Sequence, residues 1–187
     1  MSARVEPEWA MVTVAFVDIR GFTTFADRAT AREAVDYLNG FFALSVPVVA
    51  RHGGSVNKLL GDGILAVFGA PRHLPDHADR ALAASVDLIA AVESHCRVGI
   101  GLNSGLVLVG TIGGGDLTEL GVVGDPVNVA ARVQDATREL GEPLLLTEAT
   151  RCLLDDGADA GLEPRGELAL RGKREPVAVY APQRVAS

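Results

Sequence analysis

Phe16-Val-Asp-Ile-Arg-Gly-Phe-Thr23 overlaps the end of an apolar run from Val12 to Val17, and Lys58-Leu-Leu-Gly-Asp-Gly63 leads into a second, Ile64 to Phe68. Both runs have the length and composition of buried strands. An aspartate adjoins each, Asp18 or Asp62, with a glycine close behind. A carboxylate at a strand end is a poor core residue and a good ligand for a hard cation. Two of them on neighbouring strands suit Mg²⁺, which takes one or two protein carboxylates and leaves room for substrate phosphates. The pair therefore points to chemistry on a nucleoside triphosphate.

The rest of the chain bounds that reading. Its 187 residues fit one domain, taken here as residues 11–187 behind a loose start over residues 1–10. A hydrophobic content of 48% supplies a full core. The net charge of -7 excludes the basic footprint of a nucleic-acid binder. The N-terminus lacks an apolar signal core, and the most apolar window, Phe41 to Ala50, is too short to span a bilayer. Cys96 and Cys152 have no metal-ligand spacing. The expectation is a cytoplasmic protein with reduced thiols and no direct membrane insertion.

Working outward from the two aspartates, Met11 to Asp18 is predicted as the first strand. Thr30-Ala-Arg-Glu33 is a capping-box pattern that opens a helix, with Val35, Leu38, Phe41, Phe42 and Val46 on one face. Pro47 is expected to kink or end it. Ser55 to Leu60 and Gly63 to Phe68 pair around Gly61-Asp62. Asp76 to Glu93 is a second helix. Cys96 to Asn103 and Leu106 to Ile112 are predicted as a hairpin turning at Ser104-Gly105, before a flexible loop at Gly113-Gly-Gly115. Leu120 to Val123 is a strand. Asp125-Pro126 starts a helix that reaches about Glu139, with the acid as N-cap. Leu144 to Leu146 is a strand, and Thr147 to Leu154 a short helix. Gly166 to Leu170 and Val177 to Tyr180 form the last hairpin. This order fits an α+β sandwich on a ferredoxin-like β-α-β-β-α-β core with an added C-terminal β/α segment.

Further candidates for chemistry stand off this frame. Asn128 and Arg132 are four apart on one helix and share a face, so both can reach one ligand. Gly21-Phe22-Thr23 follows Asp18 and can offer backbone N–H groups to a phosphate. Lys58 precedes Asp62 by four residues. Arg171-Gly-Lys173-Arg174 is the one dense basic cluster, either a phosphate contact or a solvated turn. His52, His73, His77 and His95 show no triad or metal spacing.

Taken together, these segments resemble the catalytic domain of class III nucleotidyl cyclases, the adenylyl and guanylyl cyclase family. The resemblance is carried by Val14 to Thr24, His52 to Gly69, Arg97-Val-Gly-Ile-Gly-Leu-Asn-Ser-Gly105, Val123-Gly-Asp-Pro-Val-Asn-Val-Ala-Ala-Arg132 and Leu170-Arg-Gly-Lys-Arg-Glu-Pro-Val177, in family order and spacing. It implies conversion of a nucleoside triphosphate to its 3′,5′-cyclic monophosphate and pyrophosphate. It implies two divalent metal ions, Mg²⁺ or Mn²⁺, on Asp18, Asp62 and the backbone carbonyl of Ile19. It implies that Asn128 orients the ribose, that Arg132 stabilises the transition state, and that Lys173 touches the terminal phosphates. It also implies a homodimer with two interfacial sites, the metal aspartates from one protomer and Lys58, Asn128 and Arg132 from the other.

One departure bears on the substrate. The resemblance assigns base reading to Lys58 and to a residue seven before Asn128. That position is Gly121, which has no side chain to accept from the adenine 6-amino group. Glu119, two residues before it, is expected to point to the other face of the strand and not to replace it. The expectation is ATP as main substrate, weakened purine selectivity and measurable GTP use. The competing readings are a catalytically weak nucleotide-binding module of the same fold, a scaffold domain of a larger signalling chain, and a diguanylate cyclase or polymerase palm. The last lacks a Gly-Gly-Asp/Glu-Glu-Phe signature here.

Overall fold

The computed structural model describes residues 6–114, 117–170 and 173–183. One mixed sheet runs in the order β2 (Ser55–Leu59), β3 (Gly63–Phe68), β1 (Glu8–Ile19), β4 (Val98–Gly114), β6 (Leu144–Thr147), β8 (Val177–Pro182), β7 (Leu162–Leu168), with β5 (Leu117–Val123) paired to the far half of β4. Among the described residues only β4 and β6 run parallel; the other pairs are antiparallel. The helices are α1 (Phe22–Ala26), α2 (Ala31–Arg51), α3 (His77–Val92), α4 (Asp125–Glu139), α5 (Glu148–Arg151) and α6 (Asp156–Asp159). The β-α-β-β-α-β core is present as β1-α2-β2-β3-α3-β4. The first strand begins at Glu8, earlier than the sequence reading placed it.

β1 is buried on both sides, which is why it reads as an unbroken apolar run. Ala15, Val17 and Ile19 pack beneath α2 and α3 with Phe41, Val48 and Leu88. Val12 and Val14 face the other way, onto Leu65, Val67, Val107, Val109 and Ala130 of α4. A third cluster sets Val129, Val133 and Ala136 of α4 against Leu145, Val179 and Ala181.

The Thr30 capping box forms: the Glu33 N–H donates to Thr30 Oγ1 at 3.3 Å, and the Thr30 N–H donates to Glu33 Oε2 at 2.8 Å. Pro47 does not end α2, which continues to Arg51. An interior proline costs about 3 kcal/mol, and the buried Val48 and Val49 that follow it hold the last turn against the core.

The hairpin read at Ser104-Gly105 is absent. β4 passes straight through, paired to β1 from Val98 to Val109. Ser104 is buried and bonded to Thr13 Oγ1 at 2.7 Å. Gly105 serves close packing: a Cβ there would meet Pro126 Cγ of α4 at 2.5 Å. A second correction lies at the start of α4. Gly124 is the N-cap, and Asp125 is the first helical residue with no capping bond of its own. Its carboxylate is instead taken by Lys173.

Candidate functional site

Asp18 and Asp62 come together because the strands that carry them are hydrogen-bonded neighbours. Asp18 pairs in register with Gly63, the first residue of β3. The Ile19 N–H donates to the Asp62 carbonyl at 3.1 Å, which ties the β2–β3 turn to the end of β1. Gly63 keeps the space beside the acid clear. A Cβ there would meet the Val17 carbonyl oxygen at 2.4 Å and Asp18 Oδ1 at 3.3 Å. The Ile19 side chain is fully buried, so only its backbone faces this end of the sheet.

The Asp18 carboxyl is pushed up to about 6 from its ordinary 3.8. Burial is the main cause, followed by the charge of Asp62 and by a hydrogen bond shared with it; Arg138 offsets part of this. Two oxygen-only groups that repel each other in a half-buried cleft are a fitting donor set for a hard divalent cation. Among the described residues no cluster of three or more His, Cys, Asp or Glu gathers, so the side chains offered here are the two aspartates alone. A cation held by so few side chains keeps positions for water and phosphate oxygens.

The raised acid has a consequence for the metal-free protein. Asp18 ionises less readily in the fold than in the unfolded chain, so this group favours folding below the unfolded value. That contribution is lost as pH rises through about 6. In chelator, the melting temperature of the unmodified protein is expected to fall between pH 4.5 and pH 7 more steeply than that of Asp18→Asn. Parallel pH profiles for the two would refute the assignment.

The remaining candidates stand on β1 and its following turn, on β2, on α4 and near the C-terminal strands. Arg20, read over in the sequence, is anchored rather than free: Nε donates to the Val98 carbonyl at 3.2 Å, and Nη2 to those of Thr137 and Glu142 at 3.0 and 2.5 Å. It fixes the end of α4 against the end of β1. Phe22 and Thr23 form the first turn of α1. The Phe22 ring stacks on Tyr37 at 6.1 Å, so its backbone alone is available to a phosphate. Asn128 is exposed on α4, and Arg132 follows one turn later beside an open groove bounded by Glu167 and Leu170. The first turn of α4 is also held from below. The buried Asn103 donates from Nδ2 to the Pro126 carbonyl at 3.0 Å and accepts from Thr147 Oγ1 at 2.7 Å. Of the basic cluster, Arg171 and Gly172 lie outside the described residues. Lys173 reaches Asp125 at the same helix start.

Lys58 required a device that the sequence does not show. Val56 pairs with Ala66, whereas Lys58 pairs with Leu65, so Asn57 is an extra, bulged residue in β2. A bulge re-aims the side chain after it. It turns Lys58 off the face that Val56 buries and toward β5, which the long β4 carries back over the sheet. The Asn57 amide donates to the Leu120 carbonyl at 2.6 Å.

Here one expectation is corrected. Lys58 Nζ lies 2.6 Å from Glu119 Oε1. Glu119 does not face away from the Gly121 position. Side chains alternate along a strand, so residues two apart share a face. Ile112 confirms it: it sits across from Glu119 in register, and a Cβ on Gly121 would meet Ile112 Cδ1 at 2.0 Å.

Among the described residues no helix is long and apolar enough to cross a membrane. Residues 5–181 match the family model described as the adenylate and guanylate cyclase catalytic domain. The uncharacterised protein Rv1320c of Mycobacterium tuberculosis is 37% identical over 174 residues, 91% of this chain and 31% of that protein. The chain thus spans about a third of the length of such curated relatives. Among solved structures, the catalytic core of a rhodopsin–guanylyl cyclase with converted specificity, in complex with ATPαS, superposes with a TM-score of 0.85 at 27% identity, covering 98% of this chain and all of that one. The guanylate cyclase domain of RhGC from Catenaria anguillulae, in complex with GTP, gives 0.83 at 27% identity, covering 92% and 96%.

Proposed function

The chain belongs to the adenylate and guanylate cyclase catalytic domain family, and we propose that it converts ATP to 3′,5′-cyclic AMP and pyrophosphate. The ribose 3′-oxygen attacks the α-phosphorus, the bond to the bridging oxygen breaks, and pyrophosphate leaves. The observation that carries this reading is the joined pair of Asp18 and Asp62 at the β1–β3 end, with the Asp18 proton held unusually tightly. Similar folds that hold GTP and ATPαS support a purine nucleoside triphosphate as substrate.

Asp18, Asp62 and the Ile19 carbonyl would hold two divalent ions, Mg²⁺ or Mn²⁺. Bound there, such ions acidify the 3′-hydroxyl and offset charge on the transferring phosphate. The chain's own residues divide the remaining work. The Asn128 amide orients the ribose. The Arg132 guanidinium answers the charge that builds on the phosphate oxygens. The Phe22 and Thr23 N–H groups face the phosphates. Lys173 leaves its partner Asp125 for the terminal phosphates, at the cost of one ion pair. Lys58 donates to the base.

The active form proposed is a homodimer with two equivalent sites, Asp18 and Asp62 from one protomer meeting Lys58, Asn128 and Arg132 from the other. Exposed Trp9 and Met11 on β1, Leu106 on β4 and Val123 on β5 give the monomer apolar surface to cover.

The test is product formation from ATP and from GTP, with Mn²⁺, across protein concentrations spanning the dimer equilibrium. Cyclic nucleotide whose specific rate rises with protein concentration is expected. No product at any concentration would leave a nucleotide-binding module of the same fold.

A further inference from the structure

Gly121 leaves the base-reading position without a side chain, and the structure shows that position to be filled. Ile112 lies where a residue 121 side chain would begin. A polar reader at 121 would have to displace it. The carboxylate next along the same face is Glu119, and it already stands 2.6 Å from Lys58.

The two partners are only partly covered, with side-chain exposures of 38% and 54%. An ion pair so exposed adds little stability, so a ligand can open it readily. The backbone beneath is fixed by the Asn57–Leu120 hydrogen bond on one side and by the β4–β5 ladder on the other. A donor and an acceptor on fixed strands, adjacent and open to solvent, match a base edge that offers an acceptor beside a donor. Adenine offers N1 and the 6-amino group in that way.

We propose that Glu119 is the specificity residue for the purine base, accepting from the adenine 6-amino group while Lys58 donates to N1. Resting on the cyclase reading above, this assigns the acceptor role that Gly121 leaves open. Guanine presents O6 where adenine presents the amine, and O6 facing a carboxylate is repelled. The expectation of weakened purine selectivity rested on the missing side chain at Gly121 and on Glu119 facing away from it. With the pair formed, ATP is preferred over GTP.

The experiment compares kcat/KM for ATP, GTP and purine riboside 5′-triphosphate, which lacks the 6-amino group. It uses the unmodified protein and Glu119→Ala, each checked for an unchanged melting temperature. In the unmodified protein, loss of the 6-amino group is expected to cost ~10- to 100-fold, the range for a hydrogen bond to a charged group. In Glu119→Ala, ATP and the analogue become nearly equal, and the ATP-to-GTP ratio falls by a similar factor. A carboxylate that only steadied Lys58 would leave the penalty for the missing amine in place. Ratios unchanged by Glu119→Ala would overturn the proposal, as would an unmodified protein indifferent to the 6-amino group. An unmodified protein that cyclises no nucleotide would instead overturn the cyclase reading, so the two failures are separable.

Discussion

Replacing Asp18 by alanine is expected to lower kcat by about three orders of magnitude or more, roughly 4 kcal/mol in the barrier, while leaving the melting temperature at pH 7 unchanged or higher. Both halves follow from one geometry. The carboxylate is half-buried beside Asp62, and its proton is held by burial and by that neighbour's charge. At pH 7 the fold bears a strained pair of like charges that contributes nothing to packing. Removing one charge relieves the strain. It also removes one of the two side-chain carboxylates that would hold the cation. Activity and stability should therefore move in opposite directions. A core aspartate would behave otherwise, with activity lost only because the protein unfolds. Product formation and thermal melting on the same sample check this. Retained turnover would remove the metal assignment.

Mixing two inactive variants is expected to restore activity. Arg132→Ala should cost about 10³-fold in kcat, the scale for a cation placed against a transferring phosphate. Alone, Asp18→Ala and Arg132→Ala each spoil both sites of a homodimer. In a mixed dimer, one site receives both faulty residues and the other receives none. With equal amounts and random pairing, about half the dimers are mixed and each carries one intact site, which returns about a quarter of the unmodified rate. A site built within a single chain would recover nothing on mixing. The measurement is cyclic AMP formation against mixing ratio, and the maximum should fall near equal proportions.

Much of this was legible in the chain. The capping box at Thr30 and Glu33 formed as read, because a helix N-terminus is decided by residues three apart. The hairpin around Gly61-Asp62 formed because a turn and its two apolar flanks are local. The shared face of Asn128 and Arg132 follows from helical periodicity alone. Reading failed where a residue's role was set by something distant. Ser104-Gly105 has the composition of a turn, yet Gly105 is small because Pro126 packs on it. Arg20 carries no local signal of its role, because the carbonyls it binds lie more than a hundred residues away. Glu119 was read with the wrong parity: strand periodicity alone puts it on the Gly121 face, and the bulge at Asn57 then brings Lys58 to it.

Order and spacing of the motifs thus determined the family, the sheet that joins Asp18 to Asp62, and the helix that presents Asn128 and Arg132, since each depends on local periodicity and on which groups tolerate burial. The tertiary structure alone decided where β4 turns back, which way Lys58 points and what stands beside it. A single extra residue in one strand reverses the facing of every side chain beyond it, and nothing in the neighbouring sequence records which strand will lie across.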